Sequence, residues 1–447
     1  MNEKLEREIR RLEEKIIEAH RNDTELFRRL DRAQRELGIL ESGRPFCPFL
    51  RPQFFTRQKY DEIVRAAETL SAAFERMTLA ALEEPEIMAE LALTEREERL
   101  ARIDPGYRGI CNSSRLDTFF SGDDFRFLEY NGETPAGIID QMQIEKVLAL
   151  IPEVTEFLAE NEHWRPAPQK RLLEALLADY RESGGEREKP NIAIVDWKDV
   201  ATVSEFEVLR RFFETEGHSC RIIDPHNLEY DGINLSAGDF RIDIFYKRVL
   251  IHEYLDQFDD HSPLIRAYTD GNILMANSFR TKIPHKKASF AVAGDPRFAS
   301  LFTPLQREMI ERHIPWTRRV RDGKTVFKGK EIDLLEHLRR EKDRFTLKPN
   351  DDYGGSGIRL GWETSQGDWE TALSKALEEP FVVQERVPVE KVSFPAYGET
   401  VERRELLIDF DPFLFRGRVE GGLVRLSASS LVNVAQGGGE TALIVLE

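Results

Sequence analysis

The segment 111–138 contains the densest set of side chains that could bind a charged ligand. In CNSSRLDTFFSGDDFRFLEYNGETPAGI, two runs rich in Phe and Leu flank the turn-forming sequence Ser-Gly-Asp-Asp at 121–124. This pattern predicts two β-strands joined by a tight turn. In such a hairpin we expect Asp117 to lie across from Glu129, and Arg115 to share the face of Asp117.

The second strand of this hairpin combines aromatic residues with polar ones. Side-chain alternation predicts that four residues share one face: Phe125, Phe127, Glu129 and Asn131. The carboxylates of Asp117 and Glu129 and the carboxamide of Asn131 are hard oxygen ligands that suit Mg²⁺. Arg115 would hold a phosphoryl oxygen beside them. The hairpin therefore predicts a magnesium and phosphate site, against the alternative of a surface hairpin with solvated acids.

A second cluster lies in residues 344–360, RFTLKPNDDYGGSGIRL. A short apolar strand ends at Lys348 and is followed by Gly354, Gly355 and Gly357. Glycines let the backbone approach a phosphate closely, and a lysine supplies a point charge. The order differs from a P-loop, because the lysine precedes the glycines. Alone this is weak evidence, since a glycine-rich hairpin loop gives the same pattern.

The strand FVVQERV, residues 381–387, is apolar until Gln384 and Glu385 and ends at Val387. A linker that lines an adenine pocket has this pattern. An ordinary strand end explains it equally well when it is read without context.

Together, these motifs resemble the ATP-grasp fold in its circularly permuted form, in which the metal-binding strands precede the lysine and glycine-loop strands. The resemblance is to eukaryotic-type glutathione synthetase and to the synthetase part of glutathionylspermidine synthetase, over roughly residues 105 to 447. It implies an α/β (α+β) fold, with ATP and Mg²⁺ as cofactors. It also implies a small-molecule carboxylate and an amine, such as an amino acid, peptide or polyamine, as substrates.

The resemblance also implies roles for individual residues of the hairpin. The family's R-x-D pattern falls on Arg115 and Asp117, and its E-x-N metal pair falls on Glu129 and Asn131. Near the C-terminus, GGLVRLSASSLVNVAQGGGETALIVLE resembles the last ATP-grasp strand and implies a substrate-binding role for Arg425. A glycine-rich lid follows in the resemblance, at three positions: Gly437, Gly438 and Gly439.

The nucleotide lysines of the family fall on two further segments. The first lysine falls on Lys287 in IPHKKASFAV, with Lys286 as the competing choice, and the second falls on Lys348. Where the relatives have an acid four residues beyond the second lysine as a metal ligand, this chain has Asp352. Asp351 is the neighbouring alternative for that register.

Composition predicts a soluble cytoplasmic protein. The chain has 447 residues, a formal net charge of −17 and 40% hydrophobic residues. No run approaches the roughly 18 apolar residues of a membrane span, and the charged N-terminus does not resemble a signal peptide. The negative charge disfavours nucleic-acid binding. Cys47, Cys111 and Cys220 have no metal-like spacing, which favours a reducing compartment.

Four regions are expected along the chain, and the N-terminal one is helical. In it Leu5, Ile9, Leu12 and Ile16 recur at helical spacing. A homodimer contact and a solvated cap on the protein's own domain both account for this pattern, and the cap is the simpler expectation. The predicted regions are a helical region 1–104, the metal-binding hairpin with its helices 105–182, a Rossmann-like substrate-binding domain 190–279 and the nucleotide-binding part 280–447.

The Rossmann-like expectation is based on the strand NIAIVDW, the helix SEFEVLRRFFETEG and the strand CRIIDP, with further strands in RIDIFYKRVL and GNILMANSF. The first strand lacks a following Gly-x-Gly-x-x-Gly, which disfavours a dinucleotide site. Ligands of open α/β sheets bind beyond the carboxyl ends of the strands. Polar candidates there, for which a plain surface role is at least as good an explanation, are Lys198, Thr202, Ser204, Lys247 and Arg248.

The sequence thus predicts an ATP- and Mg²⁺-dependent ligase that joins a carboxylate to an amine through an acyl phosphate. Two alternatives stay open. One is a phosphotransferase on the same fold, and the other is a nucleotide-binding scaffold with a degenerate site.

Overall fold

The computed structural model describes residues 3–352, 354–389, 391–430, 434 and 438–447, and these form a mixed α/β structure with several sheets. The helices are α1 Glu3–His20, α2 Thr24–Leu37, α3 Arg57–Glu83, α4 Pro85–Leu91, α5 Glu95–Ala101, α6 Asp140–Leu148, α7 Pro152–Glu160, α8 Pro168–Glu182, α9 Val203–Thr215, α10 Ile251–Gln257, α11 Pro263–Thr269, α12 Lys282–His285, α13 Ala288–Ala293, α14 Pro304–His313, α15 Leu334–Arg340 and α16 Gln366–Glu378. Short 3₁₀ turns cover Pro225–Asn227, Phe279–Thr281, Pro296–Leu301 and Lys342–Arg344.

The strands are β1 Leu40–Glu41, β2 Arg44–Pro45, β3 Gln53–Thr56, β4 Ser113–Ser121, β5 Asp124–Asn131, β6 His163–Trp164, β7 Ile192–Val195, β8 Cys220–Ile223, β9 Glu229–Tyr230, β10 Leu235–Ala237, β11 Phe240–Arg241, β12 Ile244–Lys247, β13 Leu274–Ala276, β14 Thr317–Arg319, β15 Lys324–Phe327, β16 Lys330–Asp333, β17 Phe345–Pro349, β18 Arg359–Leu360, β19 Phe381–Glu385, β20 Lys391–Tyr397, β21 Val401–Phe415, β22 Arg418–Ser427, β23 Gly439–Thr441 and β24 Leu443–Leu446. The expected class, a mixture of helices and sheets, is confirmed.

The largest sheet has six strands in the order β23-β22-β21-β4-β5, and β20 also pairs with β21. Its neighbouring strands are antiparallel. One face packs against helix α3 through a core that includes Phe74, Leu116 and Phe410. The alternating positions on these strands carry charged residues, and that opposite face borders the candidate site.

A second antiparallel sheet, β14-β19-β17-β18, carries Lys348 on β17 and Gln384 on β19. Helices α15 and α16 pack on it through Leu338, Trp369 and Leu373. Trp369 is 0% exposed, and its packing fixes the position of the sheet that carries Lys348.

The segment predicted to be Rossmann-like forms a parallel sheet in the order β13-β12-β7-β8. Continuous apolar sequence along β7 matches a strand covered on both faces. Helices α8 and α9 lie on one side of this sheet, and α10 and α11 lie on the other. The predicted strand–helix–strand start is therefore confirmed.

The N-terminal helices pack on the protein's own core. Ile9, Leu12 and Ile16 are buried in a cluster with residues of α6, α7 and β24. This contact matches the expectation of a helical cap, while a homodimer stays a prediction. Across the described residues, no helix combines the length and the apolar composition that spanning a membrane requires.

Candidate active site

A cleft of about 350 Å³ lies between the six-stranded sheet and the Lys348 sheet. Most of the residues singled out in the sequence line it together. These are Arg115, Asp117, Glu129, Asn131, Lys348, Gly354, Gly355, Gln384, Glu385, Val387 and Arg425. Segments more than 200 residues apart in the sequence are thus brought to one place by the two sheets.

The hairpin register agrees with the sequence prediction. Asp117 pairs with Glu129, and Arg115 pairs with Asn131. The predicted turn is also present, because β4 ends at Ser121 and β5 begins at Asp124.

The prediction that Phe125, Phe127, Glu129 and Asn131 share one face is wrong. The pairing shifts between Asp117 and Thr118, so that Leu128 is an extra residue in β5. Such a bulge reverses the alternation beyond it. Phe125 and Phe127 therefore join the core, whereas Glu129 and Asn131 face the cleft. The freed carbonyl of Leu128 accepts hydrogen bonds from Lys348 Nζ and Gln384 Nε2, each at 3.3 Å.

Asp117 is held by two arginines. Arg115 Nε lies 3.0 Å from its Oδ1, and Arg425 Nη2 lies 2.9 Å from its Oδ2. Asn131 Nδ2 donates to the same carboxylate at 2.7 Å. Burial acts to raise the pKa of Asp117, but the two guanidinium groups hold it well below its ordinary value. Asp117 is therefore ionised.

Two aspartates that the sequence analysis did not single out complete this cluster. Arg425 Nη2 lies 2.7 Å from Asp409 Oδ2 and 2.6 Å from Asp411 Oδ2. Burial raises the pKa of Asp409 to about 6 and raises that of Asp411 well above its ordinary value. Their spacing of two in the apolar run LLIDFDPF is the same signal that drew attention to Glu129 and Asn131.

Lys348 presents an ammonium group that no carboxylate neutralises at close range. Its Nζ donates to Gln384 Oε1 at 2.7 Å, and no ion pair within 4.0 Å forms among the described residues. Burial lowers the pKa of Lys348 to about 8, although the charge of Glu129 acts in the opposite direction. A buried cation without a counterion is prepared to bind an anion such as a phosphate.

Adjacent Lys286 and Lys287 point to different regions. Lys287 Nζ lies 3.1 Å from Glu129 Oε1, beside the cleft. Lys286 Nζ lies 3.0 Å from Glu97 Oε2 and 2.5 Å from Asp351 Oδ2, in a separate buried network. Geometry therefore favours Lys287 of the two candidates. Burial acts to raise the pKa of Glu129, but the charges of Lys287 and Lys348 hold it below its ordinary value.

Asp352 is not among the residues that line the cleft. Its backbone carbonyl accepts a hydrogen bond from Lys287 Nζ at 2.5 Å. The competing residue Asp351 lies in the buried network with Glu133, His285 and Lys282. Sequence spacing alone could not show that this loop places Asp351 in the buried network and neither Asp351 nor Asp352 in the cleft lining.

The glycine loop follows Lys348 as predicted. Gly354 and Gly355 line the cleft, whereas Gly357 packs against the ring of Pro349 at the base of the loop. At Gly357 φ is +67°, and a Cβ atom there would lie 2.6 Å from Pro349 Cγ. This position therefore requires glycine for the loop geometry.

The predicted glycine-rich lid is only partly covered by the structure. Gly437 lies outside the described residues, and Gly438 immediately precedes β23. Gly439 is buried in β23, where a Cβ atom would lie 2.5 Å from the carbonyl oxygen of Phe46. The lid prediction is wrong for Gly439, because strand pairing and the close backbone fix this residue in a sheet.

Glu133, His285 and Asp351 offer ligand atoms within 4.8 Å of one another, which suggests a second metal position. Lys282 already supplies a cation there, because its Nζ lies 3.1 Å from Glu133 Oε2 and 2.7 Å from Asp351 Oδ1. Burial lowers the pKa of His285 to about 4, so its neutral ring adds no second cation to this network. The described residues therefore form an ion network in which an ammonium group replaces a metal ion.

The polar candidates of the parallel sheet mostly have structural partners. Arg248 donates to the carbonyl oxygen of Pro135 at 2.5 Å, and Lys247 Nζ lies 3.6 Å from Glu133 Oε1. These bonds fasten the loop that follows the hairpin to the edge of the parallel sheet. Lys198, Thr202 and Ser204 lie outside the cleft lining.

Neither a family model nor a curated protein matches the sequence. Among solved structures, a glutathione synthetase-like effector from Globodera pallida in its apo form aligns with a TM-score of 0.60 at 12% identity, over 95% of this chain and 97% of that chain. A protein assigned as a gamma-glutamylcysteine synthetase from Methylobacillus flagellatus KT aligns with a TM-score of 0.40 at 10% identity, over 85% of each chain. The first alignment shows that this chain has a glutathione synthetase-like fold over nearly its whole length.

Proposed function

We propose that the protein is an ATP- and Mg²⁺-dependent ligase that joins a small-molecule carboxylate to an amine through an acyl phosphate. The glutathione synthetase-like fold supports a ligase of this type. In this proposal the fold is a circularly permuted ATP-grasp, with residues 190–279 as the substrate-binding domain and 280–447 as the nucleotide-binding part.

One observation carries the proposal. The cleft places the cation Lys348 and the glycine loop on one wall, and the oxygen donors Asp117, Glu129 and Asn131 on the other. Phosphate groups would be held by the first wall, and a divalent ion that neutralises them would be held by the oxygen donors of the second. A glycine hairpin or an acidic surface strand, taken singly, would not require the two walls to face each other.

The donor set fits Mg²⁺. Two carboxylates with lowered pKa values and one carboxamide supply hard oxygen atoms, and the remaining positions would be filled by water and phosphate oxygens. When bound, Mg²⁺ neutralises charge on the phosphates and orients them. Lys287 would hold a phosphate together with Lys348, while Gln384, Glu385 and Val387 would line the nucleotide base.

Arg115 is the residue best placed to meet charge during transfer. The substrate carboxylate oxygen attacks the γ-phosphorus of ATP, the bond to ADP breaks, and an acyl phosphate forms. The amine nitrogen then attacks the acyl carbon, phosphate leaves, and the nitrogen loses a proton. Arg115 Nη1 already donates to the carbonyl oxygen of Ala136 at 3.0 Å, so its guanidinium is held rigidly at the metal strand.

Arg425 has a more restricted role than the sequence resemblance implies. Its guanidinium is shared by three aspartates: Asp117, Asp409 and Asp411. We therefore assign Arg425 chiefly to holding Asp117 in place, with substrate contact as a secondary role.

An isotope experiment tests this function. A panel of amino acids, peptides and polyamines is first screened for acid and amine pairs that stimulate ADP release. The active carboxylic acid is then labelled with ¹⁸O, and the released phosphate is examined by mass spectrometry. A ligase transfers one labelled oxygen to phosphate, because the carboxylate oxygen stays in the acyl phosphate bridge.

The other outcomes contradict the proposal in different ways. A phosphotransferase would leave phosphate on an isolable product. A simple ATPase would take the oxygen of phosphate from solvent alone.

A further inference from the structure

The charged face of the six-stranded sheet continues beyond the cleft to its far edge. Arg425 on β22 pairs directly with Glu440 on β23 and with Asp409 on β21. Directly paired residues project to the same face of a sheet. Glu440 therefore shares a face with Arg425 and Asp117, at the opposite edge from Glu129.

Glu440 is a buried acid that forms no ion pair with any described residue. It is 5% exposed, and its Oε2 atom has no hydrogen-bond partner in the described part of the chain. The Asp140 carboxyl group at the start of α6 lies within hydrogen-bonding reach of Glu440. Asp140 as a whole residue is partly exposed. Two acids thus meet, and Asp140 is the partly exposed member of the pair.

Neighbouring carboxylates make the surroundings of this acid pair more negative. Glu41 and Glu205 add negative potential at Asp140. Arg248 opposes the charge of Asp140, but it is paired with Glu205 and with the carbonyl oxygen of Pro135. Arg425 and Arg115 oppose the charge of Glu440. Burial and Glu205 raise the pKa of Asp140 to about 8, and burial and Asp140 raise that of Glu440 well above its ordinary value.

Among the described residues, the cations nearest this pair are already engaged by other acids. Arg425 is occupied by three aspartates, and Arg115 is occupied by Asp117. Residues 431–433 and 435–437, which precede β23, include no Lys, Arg or His. Within the described residues, neither Asp140 nor Glu440 forms an ion pair.

We propose that Asp140 and Glu440 bind the ammonium group of a substrate beside the candidate cleft. This inference depends on the proposed ligase function, because it assigns one substrate group to that site. Neighbouring strands are about 4.8 Å apart, so the pair lies roughly one strand spacing beyond Arg425 and about four beyond Glu129. An ammonium group there is next to Arg425 and far from the proposed metal donor Glu129.

Small probes test the proposal on the full-length chain. Binding of n-butylamine, butyrate and 4-aminobutyrate is measured by ligand-observed NMR titration, which detects millimolar affinities. We expect Glu440→Gln and Asp140→Asn each to weaken binding of both ammonium probes about tenfold, the effect of one lost charge-assisted hydrogen bond. Binding of butyrate should be unchanged.

The source of the ammonium group follows from the same titrations. Equal affinity for n-butylamine and 4-aminobutyrate would assign it to the amine substrate. Much tighter binding of 4-aminobutyrate would place ammonium and carboxylate on one molecule. Either result supports the site. Ammonium probes that bind wild type and both variants alike, or that bind none of them, would overturn it.

Two controls make the result specific. Glu75→Gln removes another acid whose pKa is raised by burial, in a different cavity beside Cys111, and should leave all three probes unaffected. Thermal unfolding of Glu440→Gln should show no loss of stability, because the variant removes a carboxylate that burial disfavours. A structural role for Glu440 would instead lower the unfolding temperature.

Failure of this inference is distinguishable from failure of the ligase proposal. Ammonium binding that depends on Glu440, together with no acid and amine pair that yields ADP, would refute the ligase and retain the site. Ligation at an unchanged rate in Glu440→Gln and Asp140→Asn would refute the ammonium site and retain the ligase.

Discussion

The candidate cleft and the buried network around Glu133 use the same residue types for opposite purposes. In the network Lys282 and Lys286 are each paired with carboxylates, and Lys282 is 0% exposed. In the cleft Lys348 faces open space with an amide and a carbonyl as its partners. Charges that balance inside the protein stabilise a structure, whereas unbalanced charges beside a cavity are available to a ligand.

The network also explains how the cleft is held together. It joins Glu97 of α5, the loop after the hairpin at Glu133, and Asp351 at the start of the glycine loop. Lys282 contacts all three. The elements that carry the proposed metal donors and the glycine loop are therefore fixed relative to each other by one buried ammonium group.

The largest effect is expected in the network. Lys282→Met leaves the buried carboxylates of Glu133 and Asp351 without their main counterion, so the free energy of unfolding should fall by about 3–5 kcal/mol. Denaturant titration measures this loss. Lys170→Met on the exposed face of α8 is the control and should change stability by less than about 0.5 kcal/mol. A Lys282 variant as stable as the control would contradict the structural role of the network.

Glu129→Gln should have the next largest effect, and in activity rather than stability. Loss of a charged oxygen donor that acts on the transferring phosphate should reduce ATP turnover at least about a hundredfold. The unfolding temperature should change little, because the side chain faces the cleft. Asp124→Asn, on the same hairpin, is the matched control and should retain full activity. Full turnover by Glu129→Gln at limiting Mg²⁺ would remove Glu129 from the site.

Lys348→Met should weaken ATP binding by about tenfold to a hundredfold, the value of a hydrogen bond to a charged group. Calorimetry measures the affinity, with the exposed Lys330→Met on β16 as control. Unchanged affinity in the Lys348 variant would leave the glycine loop as a structural turn.

The pH dependence of ATP binding is a second test of the role of Lys348. Because the pKa of Lys348 is lowered to about 8, the free protein loses this positive charge as the pH rises through that value. ATP affinity should therefore fall above about pH 8 in the wild type, and the step should be absent in Lys348→Met. A step of the same size in both proteins would assign the titration to another group.

Much of this arrangement follows from local sequence. The residues at 121–124 fix the turn, and the turn fixes the pairing of the strands as far as Thr118 with Phe127, after which the bulge brings Glu129 opposite Asp117. The bulge at Leu128 could not be predicted in this way, because it depends on the carbonyl bonds to Lys348 and Gln384, which come from a distant sheet. Asp409 and Asp411 could have been found, since their alternation in an apolar strand is visible in the sequence.

Other features depend on tertiary structure alone. Lys286 and Lys287 are adjacent, and nothing local shows which of them faces Glu129. Likewise, Gly438 and Gly439 have the composition of a lid, yet strand pairing with β22 holds Gly439 in the sheet. In both cases the deciding contacts come from residues far away in the sequence.

The most direct test of the central claim uses these two adjacent lysines as each other's control. Magnesium-ATP is titrated into wild type, Lys287→Met and Lys286→Met by calorimetry, and the unfolding free energy of each protein is measured in parallel. We expect Lys287→Met to lose about tenfold or more in ATP affinity, and to lose less stability than Lys286→Met because it breaks one ion pair at the cleft rather than two in the buried network. Lys286→Met should lose stability and, where folded, bind ATP nearly as the wild type does. Equal ATP affinity in the wild type and the Lys287 variant, or no ATP binding by the wild type, would contradict the assignment of the cleft.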